Sequence, residues 1–227
     1  MIPYFSRTGT RRALAAFRAM GARLMISARG VLRTEGFAYA LDNGAWTAFQ
    51  EHLAGKRPTP VLDLAAFVHA VDRLGAGADF IIVPDIVMGG EASWMLTRYW
   101  LRRLRRDRRL KGVRLMIAVQ NGMEPELVRP YLSARVGVFV GGDVPWKLAT
   151  MGVWAKVAHE RGAVCHVGRV NTGRRVRLCE IAGVDSFDGS GPSRFVDCLP
   201  PITDALRQTE IEGWLSRHPI CTPPPPR

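Results

Sequence analysis

Apolar residues along this chain fall in short, nearly continuous runs rather than in strict alternation with polar ones. The runs are Ile2 to Phe5, Arg23 to Ser27, Phe37 to Leu41, Phe80 to Pro84, Leu115 to Val119, Val136 to Val140, Val164 to Val167 and Val184 to Phe187. Their richness in β-branched and aromatic residues predicts strands buried on both faces. Amphipathic stretches lie between them and predict helices over Gly9 to Met20, Leu62 to Leu74, Glu91 to Leu110, Glu124 to Leu132, Pro145 to Arg161 and Gly173 to Ala182. Strands alternating with helices predict an α/β fold, a single-domain (β/α)8 TIM-like barrel. A doubly wound open sheet is the alternative, because strand order is not written in the pattern. The barrel is expected over residues 1–215, and residues 216–227, with the run Pro223 to Pro226, as a proline-rich tail. Arg57-Pro58-Thr59-Pro60 reads as a surface loop.

At 227 residues and 47% hydrophobic, the chain has ample material for a core and is excluded from the disordered polymers. Its apolar runs fall far short of the roughly 18 to 20 residues that span a bilayer, and its first residues do not read as a secretory signal. The expectation is a cytoplasmic protein. Cys165, Cys179, Cys198 and Cys221 form no C-x-x-C pair, so reduced thiols are expected, with no metal site and no cofactor. Charge changes the picture more: 32 Lys and Arg stand against 20 Asp and Glu, a formal net charge of +12, with a pI near 10.5. Such a balance favours a polyanionic partner. The densest basic run, Arg98 to Arg114, is either a phosphate track or a solvated helix face. A second cluster, Arg169, Arg174, Arg175 and Arg177, follows a predicted strand end and suits phosphate binding.

Several strands end in polar or glycine-containing sequences: Leu41-Asp42-Asn43-Gly44, Val83-Pro84-Asp85, Val119-Gln120-Asn121-Gly122, Val140-Gly141-Gly142-Asp143, His166-Val167-Gly168-Arg169 and Phe187-Asp188-Gly189-Ser190-Gly191. In a barrel these ends converge on one face, where loops supply the active site. Each aspartate taken alone is as well read as a turn former or helix cap. Gathered together, three carboxylates with a Gln and glycine amides have the chemistry for glycosyl transfer: attack on an anomeric carbon, proton exchange with the leaving group, and recognition of its hydrogen-bonding edge.

The order and spacing of these segments, from about Phe37 to Arg194, resemble the tRNA-guanine transglycosylase superfamily, in particular its short phage-type relatives that act on DNA. The most specific piece is Gly183-Val184-Asp185-Ser186-Phe187-Asp188-Gly189-Ser190-Gly191-Pro192-Ser193-Arg194, similar to the family's G-x-D-x-F-D-x-x-x-P-[TS]-R. The resemblance implies that Asp188 is the nucleophile. Asp42, in Asp42-Asn43-Gly44-Ala45-Trp46, resembles the first Asp of D-S-G-[GA]-F, which implies the general acid/base. It also implies that Asp85 recognises the purine, that Gln120 contacts the base, and that Gly141-Gly142 lies beside it. An ionised Asp accepts from the N1–H and amine of a guanine-like ring, while a Gln amide or glycine N–H donates to its carbonyl. The reaction implied is exchange of guanine in DNA, or alternatively in tRNA, for a 7-deazaguanine base. Arg194 closes the matching motif and joins Arg169, Arg174 and Arg175 as expected nucleic-acid contacts.

The segment after Asp188 holds isolated Cys198 and Cys221 in place of the tRNA enzymes' zinc-binding C-x-C-x-x-C, so the zinc subdomain is not expected. The first motif departs from the family's at Asn43 and Trp46. Trp46 either covers a purine or packs in the core, and His166, within an apolar strand, is either a hydrogen-bonded core imidazole or a substrate-binding group. A noncatalytic basic nucleic-acid-binding barrel is the reading from a different class, in which Asp42 and Asp188 are turn residues.

Overall fold

In a computed structural model, describing the backbone of residues 1–217 and the side chains of residues 1–208, the eight apolar runs become strands β1 (Ile2–Ser6), β2 (Arg23–Ser27), β3 (Tyr39–Asp42), β4 (Phe80–Ile82), β5 (Arg114–Val119), β6 (Val136–Val140), β7 (Cys165–Val167) and β8 (Ser186–Gly189). Each pairs in parallel with the next, and β8 returns to β1 in the register Ile2↔Ser186 and Tyr4↔Asp188. The sheet is therefore a closed barrel, and the open doubly wound alternative is excluded. The helices are α1 (Arg11–Ala19), α2 (Ala45–Leu53), α3 (Leu64–Leu74), α4 (Gly90–Arg106), α5 (Pro125–Val128), α6 (Val144–His159), α7 (Gly173–Ile181), α8 (Gly191–Arg194) and α9 (Leu199–Arg217).

Strand alternation divides the apolar residues between two cores. Leu24, Ile26, Leu41, Ile81, Ile117, Val138, Val167 and Phe187 face outward under the helices, while Tyr4, Met25, Ala40, Phe80, Ile82, Met116 and Ala118 fill the barrel, with Phe139 packed against them. Both faces are covered, which is why the strands read as continuous apolar runs.

Several boundaries differ from the sequence expectation, each for a local reason. The helix expected over Glu124 to Leu132 is the short α5 followed by a single 3-10 turn, Arg129–Tyr131. Pro130 has no N–H to give and crowds the carbonyl one turn back. The expected helix to Leu110 stops at Arg106, where Asp107 turns extended and its carboxylate caps the N–H of Arg109. Helix α2 was not expected. It starts from Gly44 at φ 84°, a backbone open to glycine. Helix α9 starts at Leu199-Pro200-Pro201, and prolines are tolerated in a first turn. It crosses the expected domain limit at residue 215. The rest of the proline-rich segment, with Cys221, lies outside the described residues. Among the described residues no helix is long and apolar enough to cross a membrane.

Trp154 on α6 is the largest fully buried side chain among the described residues, 1% exposed. Trp154→Ala is expected to cost about 3–5 kcal/mol in urea unfolding. A loss below about 1 kcal/mol would mean that the layer between α6 and the sheet collapses to fill the space.

Candidate active site

The alternation that fills the barrel also aims its upper rim. Ala40, Ala118 and Ser186 point inward, so the residues two places on, Asp42, Gln120 and Asp188, point inward at the C-terminal ends of β3, β5 and β8. Asp85 follows β4 after Pro84, and Gly141-Gly142 follow β6. Together these residues line a cavity of about 310 Å³, with Trp46 and Gln50 on α2, Arg169 and Asn171 after β7, and Ser190 and Arg194 after β8. This volume sits at the small end of ligand pockets. Among the described residues no cluster of His, Cys, Asp and Glu side chains has a metal-binding arrangement.

The carboxylates have unlike surroundings. Asp42 is pushed up to about 7 by burial, then by the charge of Asp188 and, less, of Asp85, against the pull of the Gly44 N–H. Asp85 is 5% exposed and raised by burial to about 6. Asn43 and Gln120 offset part of that cost. Asn43 Nδ2 donates to Asp85 Oδ1 at 2.7 Å and to the Val83 carbonyl at 2.9 Å, while its own Oδ1 accepts from the Ala45 N–H at 2.8 Å. Gln120 Nε2 donates to Asp85 Oδ2 and to the Ile86 carbonyl, and its Oε1 accepts from the Met88 N–H. Gln120 is thus tied to protein partners on both ends of its amide.

Asp188 is held differently. The Arg169 N–H donates to both its oxygens, at 3.3 and 3.2 Å, and His166 Nε2 lies 3.3 Å from Oδ1. His166 is fully buried beneath the cavity, stacked on Phe139 with centroids 5.1 Å apart, and bonded through Nδ1 to Ser186 Oγ at 2.8 Å. It supports Asp188 from below and does not line the cavity, a correction to its expected place among substrate contacts. The Arg169 guanidinium lies 4.0 Å from the Trp46 ring centroid and donates to the Gly142 carbonyl. Trp46 is therefore at the cavity's rim, under a cation, rather than in the core. Gly142 has φ 67°, and a Cβ there would meet Asn121 Oδ1 and the Trp146 ring, both at 2.6 Å.

The basic residues divide. Arg169 and Arg194 line the cavity. Arg175 is half-buried, and its charge acts on Arg169. Arg174 and Arg177 instead flank a groove against Pro201, Asp204 and Ala205 of α9, on the outer wall. The arginine-dense end of α4 leads through Arg108–Leu110 into the start of β5, at the face of the barrel opposite the cavity. There Arg109 pairs with Asp72 at 3.0 Å and Asp107 at 2.7 Å, and Arg103 lies over Trp100. This run does not line the cavity.

Two residues central to the geometry were not singled out from sequence. Asn43 was noted only as a departure from a motif. Lys147 is 3% exposed and donates to the Gly168 carbonyl. Its signal was present: it interrupts the apolar stripe Met151, Trp154 and Ala158 at helical spacing on α6. No protein-family model and no curated protein matches the chain.

Asp42 protonates more readily folded than unfolded, so its contribution to stability is lost as pH rises from the ordinary 3.8 through about 7. Asp42→Asn removes the half-buried charge. It is expected to raise stability at pH 8 by about 1–3 kcal/mol, an advantage that vanishes toward pH 4. Urea unfolding of both proteins at the two pH values checks this.

Proposed function

We propose that the protein is a DNA-guanine transglycosylase that exchanges guanine for a 7-deazaguanine derivative through a covalent Asp188-glycosyl species. The observation that carries the reading is a pair of carboxylates sharing one nucleoside-scale cavity in unlike environments. Asp42 is poised near neutral pH to give and take a proton, and Asp188 is bound through both oxygens to a main-chain N–H. Environments that separate two carboxylates are what acid/base and nucleophilic roles require. The resemblance of the segment around Asp188 to the transglycosylase motif supports the same assignment. The isolated Cys198 and Cys221, standing in place of the C-x-C-x-x-C motif of the tRNA enzymes, favour DNA over tRNA as polymer.

In the first half-reaction an Asp188 oxygen attacks C1′ of the target deoxyguanosine, the bond from C1′ to the purine nitrogen breaks, and Asp42 gives its proton to the departing guanine. In the second, Asp42 takes the ring proton of the incoming 7-deazaguanine, whose nitrogen bonds C1′ as the bond to Asp188 breaks. Protons and charges balance over the cycle, and the polymer backbone stays intact. Asp85 has lone pairs beyond those given to Asn43 and Gln120, and these can accept from the ring N1–H and amine. Gln120 acts first by orienting Asp85. Direct donation to the ring carbonyl requires its amide to turn. Gly141 and Gly142 allow the ring to approach the main chain. The narrow cavity admits one extruded nucleotide, at an unstacking cost of a few kcal/mol. The Arg169–Trp46 pair at the rim helps exclude water, which would otherwise hydrolyse the intermediate to an abasic site.

Incubation with labelled guanine-containing DNA or tRNA and a 7-deazaguanine, followed by nucleoside mass spectrometry, is expected to show label release and incorporation with DNA. Asp188→Asn should bind DNA without forming an adduct, and Asp42→Asn should lower exchange by about 10²–10⁴-fold. Exchange in tRNA alone would overturn the choice of polymer. Binding without exchange on either polymer would favour a noncatalytic barrel.

A further inference from the structure

Nothing in the exchange chemistry above uses Lys147, yet its placement is costly. Its ammonium is withdrawn from water on the inner side of α6 and bonded to a single neutral carbonyl, that of Gly168. That carbonyl belongs to the same peptide group whose N–H, on Arg169, donates to both oxygens of Asp188. Lys147, one peptide plane and the Asp188 carboxylate therefore form a continuous chain from cation to anion. Hydrogen bonds in such a chain polarise and strengthen one another.

The local geometry is built around this peptide. A Cβ on Gly168 would lie 2.5 Å from Phe139 Cζ and 3.2 Å from Asp188 Oδ1, so only glycine lets the plane fit between ring and carboxylate. Arg169 adopts φ 60°, a left-handed conformation rare for a residue with a side chain. The charged and titratable groups facing Lys147 are Asp188 from β8, Arg169 after β7, Arg175 and Cys179 from α7, and Asp143 at the start of its own helix. Burial and Arg169 lower its pKa to about 8, and Asp188 holds it up against them. Asp188 in turn faces Asp42 from β3 and His166 from β7.

We propose that Lys147 is a positioning residue for the nucleophile: its ammonium orients and polarises the Gly168–Arg169 peptide, which fixes the Asp188 carboxylate for attack. The nucleophilic role of Asp188 rests on the transglycosylase reading; the linkage between Lys147 and Asp188 does not.

The test compares wild type with Lys147→Met, which removes charge and hydrogen bond, and Lys147→Gln, which keeps a donor without the charge. Single-turnover adduct formation on DNA at pH 7 is expected to fall about 10- to 100-fold in K147M, less than when a donor touching the reacting atoms is lost. The acidic limb of its pH–rate profile should move to higher pH, with DNA binding unchanged. K147Q should recover part of the rate while keeping the displaced limb. A merely structural lysine would not move that limb, so a wild-type limb in both variants overturns the proposal. A second readout is independent of the reaction: ¹³C-carboxyl titration of the free protein, with the Asp188 signal assigned by its loss in Asp188→Asn. An Asp188 titration displaced upward in K147M sustains the linkage even if wild type forms no adduct, a result that would overturn only the exchange reading. An undisplaced signal overturns the linkage even where the adduct forms.

Discussion

Pairing of β8 with β1 closes the sheet, and closure is the constraint from which the rest of the site follows. A closed barrel has one interior, so every inward residue at the ends of its strands must share a confined space. With period-two alternation fixed by the apolar layers below, Asp42, Gln120 and Asp188 cannot turn to solvent without reversing the packing of Ala40, Ala118 and Ser186. The carboxylates are crowded because the scaffold leaves them nowhere else to go.

Crowding has a cost, and the protein distributes it unevenly. Asp85 is buried but wrapped by two side-chain amides. Asp188 receives a main-chain N–H, with an imidazole beneath it. Asp42 is displaced further toward neutrality than Asp85, because burial and the charge of Asp188 outweigh the hydrogen bond from the Gly44 N–H. Three identical side chains thereby acquire three chemical characters from position alone, and one of them can trade protons near neutral pH. Lys147 belongs to the same economy of charge, since a buried cation is tolerable here because an anion lies one peptide away.

Much of the fold was legible because its strands are covered on both faces and show as unbroken apolar runs. Their polar ends then marked the rim of the barrel, and Asp42, Asp85, Gln120, Gly141, Gly142 and Asp188 do line one cavity. What escaped depended on direction rather than composition. Helix α2 begins at a glycine in left-handed geometry, with no capping side chain to announce it. His166 was legible as an odd polar residue in a strand, but only the barrel shows that it sits one layer below Asp188 and out of reach of a ligand. The arginine run of α4 carried the strongest charge signal in the sequence and lies at the far face, because a helix returning from the rim ends at the foot. Lys147 was hidden for the opposite reason: one cation in an apolar stripe is faint among 32 basic residues.

The clearance at Gly168 also bears on how this sequence can drift. Any side chain at position 168 collides first with Phe139, whose ring is itself stacked on His166. Replacement of the glycine is therefore open only after the aromatic has been reduced, and reducing the aromatic first leaves the imidazole without its stacking partner. The three positions form a column in which the sequence of changes matters as much as their identity, so divergent relatives would be expected to vary there together or not at all.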